Sequence, residues 1–529
     1  MLAWRPTSSI SFGKAIVNIA RPVPNFRRAL QIHYSFKLTN LVLGFAFQIL
    51  VVKTLRPNDY ATYAFFLALL LTMERVFSLG IDRTLLRYVP AYSADGNFES
   101  LRILLRKAAI ARVASISVAV SLVYLMAVYG GGGVLPDESP LALYSFCIWY
   151  IGYAVMTDLE MLAQSWVLHA TTAIAGTLDV LARSASVLCL VGLEYKISGV
   201  TIIVVSAMTT SLASVFVLAR MVWLRSRISR LVIERDKKPS HLAVQGAPVF
   251  ALSVYASNLG WLMTSPSVIR ILAKGGLDVV AFSAFSFAQA LCVSIQRSFP
   301  GPMVLPSLEP IFARFATSPN LMAALVAIIF KFELICFASF SIVTVLAGEQ
   351  LIAIISRPEY GQYYYLFPAI MFVLLLQTIY RVGELVASLQ LTHVVFLVLW
   401  PVSILGTASL YFTVEKWGMV AILLIPILES MVRIAIVMHY NRHSVGWRAI
   451  DPVRSLQVCL SASVVIVIAL LVRRAFPEFQ MALAVSSLFV FFGSLLGARP
   501  FRKEELECLA LAVPSSPRVL TRSIARLAR

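Results

Sequence analysis

The stretch Leu55–Tyr92, LRPNDYATYAFFLALLLTMERVFSLGIDRTLLRYVPAY, decides the fold class of this sequence. A proline and an acidic residue precede an apolar run over 61–80, and arginines follow the run. A helix needs about 20 apolar residues to cross the hydrocarbon core of a bilayer. The run therefore predicts a membrane-spanning helix, and the arginines beyond it predict a cytoplasmic loop.

Runs of this kind recur along almost the whole chain. Of the 529 residues, 59% are hydrophobic and 13% are charged, with a mean hydropathy of +0.83. A soluble protein has about 25% charged residues, and a membrane barrel has short alternating strands instead of continuous apolar runs. We predict an all-α polytopic membrane protein with fourteen transmembrane helices. They lie at 36–54, 61–80, 108–128, 141–162, 171–193, 199–223, 245–268, 278–299, 322–347, 365–388, 392–412, 418–440, 455–473 and 479–498.

Basic residues mark alternate loops. The N-terminal arm, the loops after the second and sixth helices and the C-terminal tail are rich in lysine and arginine, whereas the loop YGGGGVLPDESP at 129–140 has neither. The positive-inside rule makes the basic segments cytoplasmic, and an even number of helices then places both termini in the cytoplasm. The net charge of +19 is thus mostly a topology signal, and we predict no nucleic-acid partner.

An internal repeat predicts how the helices are organised. Lys53–Leu69 aligns with Arg270–Ser286 without a gap, and the same shift superposes helices 1–6 on helices 7–12. Such repeats are common in transporters, so we predict two six-helix bundles and a two-helix C-terminal extension. The segments are a basic cytoplasmic arm (1–35), an N-lobe (36–224), a basic linker (225–244), a C-lobe (245–440), helices 13 and 14 (441–498) and a basic cytoplasmic tail (499–529).

Cysteine and histidine indicate no cofactor. The six cysteines form no C-x-x-C motif, and the six histidines are scattered along the chain. The sequence therefore predicts neither disulfides nor a metal site.

The quoted stretch Leu55–Tyr92 resembles the region around helix 2 of bacterial polysaccharide flippases, the Wzx-type exporters of the MOP (MATE-like) superfamily. Ile355–Ser388, ISRPEYGQYYYLFPAIMFVLLLQTIYRVGELVAS, is similar to their helix 9–10 connection. The resemblance implies two lobes that face each other in a V. It also implies alternating access for an isoprenoid-diphosphate-linked oligosaccharide across the bacterial inner membrane, in the biosynthesis of lipopolysaccharide or exopolysaccharide.

Charged residues inside the predicted helices are candidate functional residues, because ionisable groups are costly within a bilayer. Some can pair along one helix face at i,i+3 or i,i+4 spacing, and both a structural and a ligand role stay open for them. These helix-paired charges are Asp179 with Arg183, Arg381 with Glu384, and Glu429 with Arg433. Others cannot pair along their own helix and need an outside partner, which makes them candidates for ion coupling or gating. They are Glu74, Lys331 and Glu333.

Arginines are the candidate ligands for a diphosphate, because the planar guanidinium binds phosphate oxygens in pairs and stays charged. Arg83, Arg87 and Arg297 are predicted at the inner ends of helices 2 and 8, and Arg75 lies deeper along helix 2. The positive-inside rule alone would also place arginines at these ends, so both interpretations stay open.

Three function classes are compatible with a chain of this kind, and the first is favoured. A flippase for lipid-linked oligosaccharide explains the helix number, the repeat and the small loops. A cation-coupled multidrug antiporter of the same fold would typically have twelve helices. A membrane glycosyltransferase or O-antigen ligase would need a large catalytic loop, so we predict no enzyme. A proton or sodium gradient is the candidate energy source, and a polysaccharide polymerase or other export machinery is a candidate partner.

The C-terminal tail has a basic amphipathic pattern. In Ser516–Arg529, SPRVLTRSIARLAR, the arginines recur every three or four residues beside an apolar stripe. Such helices bind anionic lipid at a membrane surface. We predict a short surface helix here, with a disordered basic tail as the alternative.

Overall fold

The computed structural model describes residues 26–94, 97–129, 140–165, 169–232, 247–299, 319–389, 394–442, 451–498, 500–502 and 505. Every regular element among them is a helix, since only helices satisfy their own backbone hydrogen bonds within a single membrane segment. The α-helices are α1 (Phe26–Thr54), α2 (Pro57–Phe77), α3 (Ile81–Ala94), α4 (Phe98–Tyr129), α5 (Pro140–Ser165), α6 (His169–Gly192), α7 (Gly199–Val232), α8 (Ala247–Met263), α9 (Pro266–Gly276), α10 (Val279–Ser298), α11 (Pro319–Ile355), α12 (Leu366–Leu389), α13 (Val394–Trp417), α14 (Met419–Tyr440), α15 (Pro452–Ala475) and α16 (Gln480–Ala498). Short 3-10 helices at Pro358–Tyr363 and Pro477–Phe479 precede α12 and α16.

The predicted fold class, an all-α polytopic membrane protein, is confirmed. Among the described residues, twelve helices are long and apolar enough to cross a membrane, and Leu38–Thr54 in α1 forms a shorter apolar helix. The predicted helix over 245–268 is instead two helices, α8 and α9. Ser265 caps α9 by accepting a hydrogen bond from the backbone N–H of Val268, and Pro266 occupies the first turn. Both features start a new helix.

The second helix ends earlier than the sequence predicts. α2 stops at Phe77, and the backbone then passes through positive φ at Leu79 (52°) and Gly80 (69°) before α3 begins. A methyl group on Gly80 would lie 2.5 Å from the carbonyl oxygen of Ala251 on α8, so only glycine fits this turn. Arg83 is therefore on α3, and the prediction that Arg75 lies deeper on the same helix as Arg83 is wrong.

The described residues form two compact units. Unit 1 contains those within Met1–Leu43, Met73–Cys189 and Ile203–Ala256. Part of its core lies between α3 and α4, and another part lies among α5, α6 and α7. The division into lobes at 36–224 and 245–440 stays a prediction.

Unit 2 contains the described residues within Gly44–Thr72, Leu190–Ile202 and Ser257–Arg529. A large apolar cluster joins α11, α12, α15 and α16, with Ile342 and Phe491 fully buried. The two-helix extension predicted after residue 440 therefore packs directly on α11.

Several predicted segments lie outside the described residues. They are most of the N-terminal arm (1–35), the basic linker beyond Val232 and the tail helix at Ser516–Arg529.

Candidate functional site

Unit 1 contains a buried ion triad assembled from three helices. Glu74 lies in the last turns of α2, Arg112 lies on α4 and Asp158 lies on α5. Arg112 donates from Nη2 to Glu74 Oε1 at 2.5 Å and from Nε to Asp158 Oδ2 at 2.7 Å. Its Nη1 donates to the carbonyl oxygen of Phe77 at 2.8 Å. Charge-assisted bonds of this length are strong, so the triad ties α2, α4 and α5 together.

The pattern of α4 explains how an arginine can occupy this position. Arg112, Ser115 and Ala119 are buried and recur at helical spacing, whereas Val113 and Val118 on the other side are exposed. A helix with one small or polar stripe packs that stripe against its neighbours and turns its apolar side outward. The guanidinium consequently enters the interior of unit 1, where carboxylates and carbonyl oxygens accept its N–H groups.

The structure supplies the outside partner that the sequence predicts for Glu74. That partner, Arg112, is absent from the predicted set of functional charges, and so is Asp158. Both lie within predicted transmembrane helices, at 108–128 and 141–162. A complete search of the apolar runs for charged residues would have found them.

The two arginines of α3 lie on the surface of unit 1. Arg83 and Arg87 are both exposed, while Leu85 and Val89 pack into the core between α3 and α4. The guanidinium of Arg87 lies over the ring of Phe250 on α8, 4.4 Å from its centre. A cation over an aromatic face is held without a carboxylate partner, so this contact orients the guanidinium while leaving its charge uncompensated.

The remaining two candidate arginines are also exposed. Arg75 follows Glu74 on α2 in unit 1, and Arg297 lies in the last turn of α10 in unit 2. The neighbouring Gln296 is buried and donates from Nε2 to the carbonyl oxygen of Leu374 at 2.9 Å and to the hydroxyl of Thr378 at 2.8 Å. These bonds fix the end of α10, which carries Arg297, to α12.

The ion pair on α6 in unit 1 has the geometry that its i,i+4 spacing predicts. Arg183 donates to Asp179 from both Nε and Nη2, and its Nη2 also donates to the hydroxyl of Thr210 on α7. The pair is partly buried and contains one charge of each sign. It joins α6 to α7.

A second group of charges surrounds Arg433 in unit 2. Its Nε donates to Glu429 Oε1 at 3.0 Å, and its Nη1 lies 3.9 Å from Glu384 Oε1 on α12. The guanidinium also donates to the hydroxyl of Ser403, and Arg381 lies one turn before Glu384. This group contains two arginines and two glutamates, so its charges balance.

Lys331 binds side chains of the C-terminal extension. Its fully buried ammonium group donates to Asp451 Oδ2 at 2.7 Å and to both carboxylate oxygens of Glu505 at 2.8 and 2.9 Å. Arg502 donates to Asp451 Oδ1 at 2.8 Å, and its backbone N–H donates to Glu505 Oε2 at 2.8 Å. We call Lys331, Asp451, Arg502 and Glu505 the C-terminal clasp. It contains two cations and two anions, which join α11 to the start of α15 and to the segment after α16.

The clasp alters the acidity of one of its members. Asp451, just before the first residue of α15, is almost fully buried, and burial by itself raises the pKa of a carboxyl group. The hydrogen bonds from Lys331 and Arg502 outweigh burial and lower the pKa of Asp451 below its ordinary value. Asp451 is therefore ionised near neutral pH.

Glu333 has a different environment from Lys331, as their spacing on one helix requires. It is 1% exposed and lines a small cavity between α11, α12 and α14 with Phe330, Thr378 and Met438. The structure thus separates two of the candidates for ion coupling or gating, because Lys331 is part of a structural clasp and Glu333 faces a cavity.

Sequence reasoning also missed Arg270 as a polar group of the interior. Arg270 lies on α9, is 5% exposed and donates from Nε to Gln289 Oε1 on α10 at 3.1 Å. The sequence contains a usable signal, since Arg270 aligns with Lys53 in the internal repeat. Among the described residues, no group of three or more histidine, cysteine, aspartate or glutamate side chains could hold a metal ion.

The sequence matches no protein-family model and no curated protein. Among solved structures, the chain is similar to the lipid II flippase MurJ in its inward closed conformation. The TM-score is 0.60 at 10% sequence identity, over 87% of this chain and 98% of that chain. The two proteins share a fold. The superfamily and the Wzx-type assignment that the sequence resemblance implies stay predictions.

Proposed function

We propose that this protein is a flippase that moves an isoprenoid-diphosphate-linked oligosaccharide across the bacterial inner membrane by alternating access, for the synthesis of a surface polysaccharide. The observation that carries the proposal is the fold, which this chain shares with the lipid II flippase MurJ over 98% of that protein's chain. A lipid-linked substrate also suits a chain whose described helices are long and apolar. The oligosaccharide and the polysaccharide pathway are parts of the proposal that rest on the sequence resemblance.

Exposed arginines support a diphosphate as the recognised group. Arg75, Arg83 and Arg87 are exposed on unit 1, and Arg297 is exposed on unit 2. Arg112, in contrast, is buried and already bonded to two carboxylates. A diphosphate needs accessible guanidinium groups, so the exposed arginines are suited to bind it and the triad is not.

A transport experiment tests the proposal directly. The purified chain is placed in liposomes with a fluorescent undecaprenyl-diphosphate oligosaccharide, and the fraction of label that an added reductant can bleach is followed in time. We expect transport by the wild type, severe loss in Arg297→Ala, and a smaller loss in Arg297→Lys because lysine keeps the charge but loses the planar fork. Arg75→Ala should also be impaired.

The control for this experiment is Arg473→Ala, which alters an arginine near the end of α15 that the proposal does not use. Its transport rate should equal that of the wild type. Full transport by Arg297→Ala together with Arg75→Ala would refute the role of these arginines. Absence of transport by the wild type, with a folded protein, would contradict the flippase assignment.

The proposed orientation places both termini in the cytoplasm. A reporter enzyme that is active only in the periplasm should work when fused after Gly132 or Gly361 and should be inactive after Lys237 or Arg502. The reverse pattern at either pair would contradict this topology.

A further inference from the structure

The ion groups of the described helices differ in their balance of charge. The pair of Asp179 and Arg183 and the group around Arg433 each contain as many cations as anions. The C-terminal clasp has no excess of anions, since Arg454 also lies 3.9 Å from Asp451. The triad in unit 1 contains two carboxylates, Glu74 and Asp158, and one guanidinium. With both carboxylates ionised it has a net charge of −1.

Other charges near the triad do not remove this excess. Asp82 at the start of α3 adds a further negative charge that acts on both Glu74 and Asp158. Arg75 is next to Glu74 in sequence, but adjacent residues of a helix point in different directions, and the Arg75 side chain is exposed. The buried part of the cluster therefore has more acid than base.

Burial makes the excess charge costly. The side chains of Arg112 and Glu74 are 6% and 9% exposed, and that of Asp158 is 19% exposed. An ion taken out of water costs several kcal/mol unless a counter-charge and hydrogen bonds compensate it. Glu74 is compensated at only one oxygen, because Oε1 accepts from Arg112 while Oε2 is buried without a hydrogen-bond partner.

Arg112 makes no hydrogen bond to that oxygen: four of its five N–H groups are donated to other atoms, and the second N–H of Nη1 does not reach it. Its Nε donates to Asp158, its Nη1 donates to Phe77, and its Nη2 donates to Glu74 and, at 3.4 Å, to the carbonyl oxygen of Ala154. The atom that Oε2 lacks is therefore a hydrogen from some other source.

Tyr150 provides a second, independent indication. Its side chain is completely buried on α5, and its hydroxyl has no hydrogen-bond partner. The hydroxyl lies within electrostatic range of Glu74, Arg112 and Asp158. A phenol oxygen can both donate and accept, and a protonated carboxyl group donates from its O–H. A proton added to a carboxylate would thus give the cluster a carboxyl O–H donor, for which the unpartnered Tyr150 oxygen is an available acceptor.

We propose that the Glu74–Arg112–Asp158 triad is a proton-binding site that takes up one exchangeable proton. A hydronium ion of the solvent donates the proton: one of its O–H bonds breaks and leaves water, an O–H bond forms on a carboxylate oxygen, and the charge of the triad rises from −1 to 0. Because the two carboxylates share Arg112, the proton belongs to the pair and not to one residue. The charge of the triad then sets the electrostatic environment of the neighbouring Arg75.

Infrared difference spectroscopy tests the proposal without any transport substrate. The full-length chain in lipid nanodiscs is titrated with potassium as its only alkali cation, and the stretching band of a protonated carboxyl group is followed. We expect a band in the wild type that disappears as pH rises and shifts in heavy water. The band should be lost in Glu74→Gln and in Asp158→Asn. Each variant should also bind one proton fewer per chain than the wild type over the titration.

Asp179→Asn is the matched control, because it alters a carboxylate that is paired one to one with an arginine. It should keep the band. Labelling the wild type with carboxyl-¹³C glutamate and, separately, with carboxyl-¹³C aspartate tests the assignment without any variant, and at least one label must shift the band. A wild type without a titrating band overturns the proposal. A band that neither variant alters, or one that added sodium removes at constant pH, overturns it as well.

Discussion

Removal of the Lys331 ammonium group should release the C-terminal extension from α11. Lys331→Met keeps an unbranched apolar side chain but leaves Asp451 and Glu505 buried without their shared cation. Removal of one partner from a buried ion pair costs about 3–5 kcal/mol. Arg502 still bonds to both carboxylates, so we expect the lower end, ~3 kcal/mol, or about a hundredfold in the equilibrium for opening.

Hydrogen–deuterium exchange in detergent or nanodiscs measures this opening locally. The amides in the first turns of α15 and the last turns of α16 should exchange about a hundredfold faster in Lys331→Met. Amides of α4 in unit 1 should be unchanged.

A charge-free variant provides the control for the clasp. Lys331→Met combined with Asp451→Asn and Glu505→Gln removes the three buried charges of the clasp. The arginines that remain beside it, Arg502 and Arg454, are 51% and 31% exposed. Most of the protection should return, because neutral groups are far cheaper to bury than an unpaired charge. Unchanged exchange in Lys331→Met would refute the argument that the clasp holds the extension.

Two further predictions follow from local geometry. Because the pKa of Asp451 is lowered in the folded state, its contribution to stability is complete above the ordinary aspartate value of about 3.9. It is lost only as pH falls through the lowered value, so protection of α15 should persist to about pH 4, and Asp451→Asn should abolish the acid-dependent step. Gly80→Ala should lower the free energy of unfolding by about 1–3 kcal/mol, because it forces a side chain into positive φ and against a backbone oxygen of α8. Thermal unfolding measures this change. In the same assay Gly493→Ala on α16, whose added methyl meets nothing within 4 Å, should be neutral or stabilising.

The sequence predicted what depends on composition and spacing along the chain. Continuous apolar runs predict membrane helices, since the bilayer sets their length. Pairs at i,i+4, such as Asp179 with Arg183, follow from the pitch of a helix, and the structure has that pair. The need of Glu74 for a partner on another helix also followed from spacing alone.

The identity of such partners depended on tertiary structure. The contact between Lys331 and Glu505 joins residues that are 174 positions apart, and no local pattern specifies a contact between separate helices. The sequence also did not predict where α2 ends, because the turn after Phe77 depends on the close approach of Gly80 to α8. The sequence by itself determined that this chain crosses a membrane as helices, because hydrophobicity and backbone hydrogen bonding act locally. Only the tertiary structure decided which charges are balanced, because balance depends on which helices pack together.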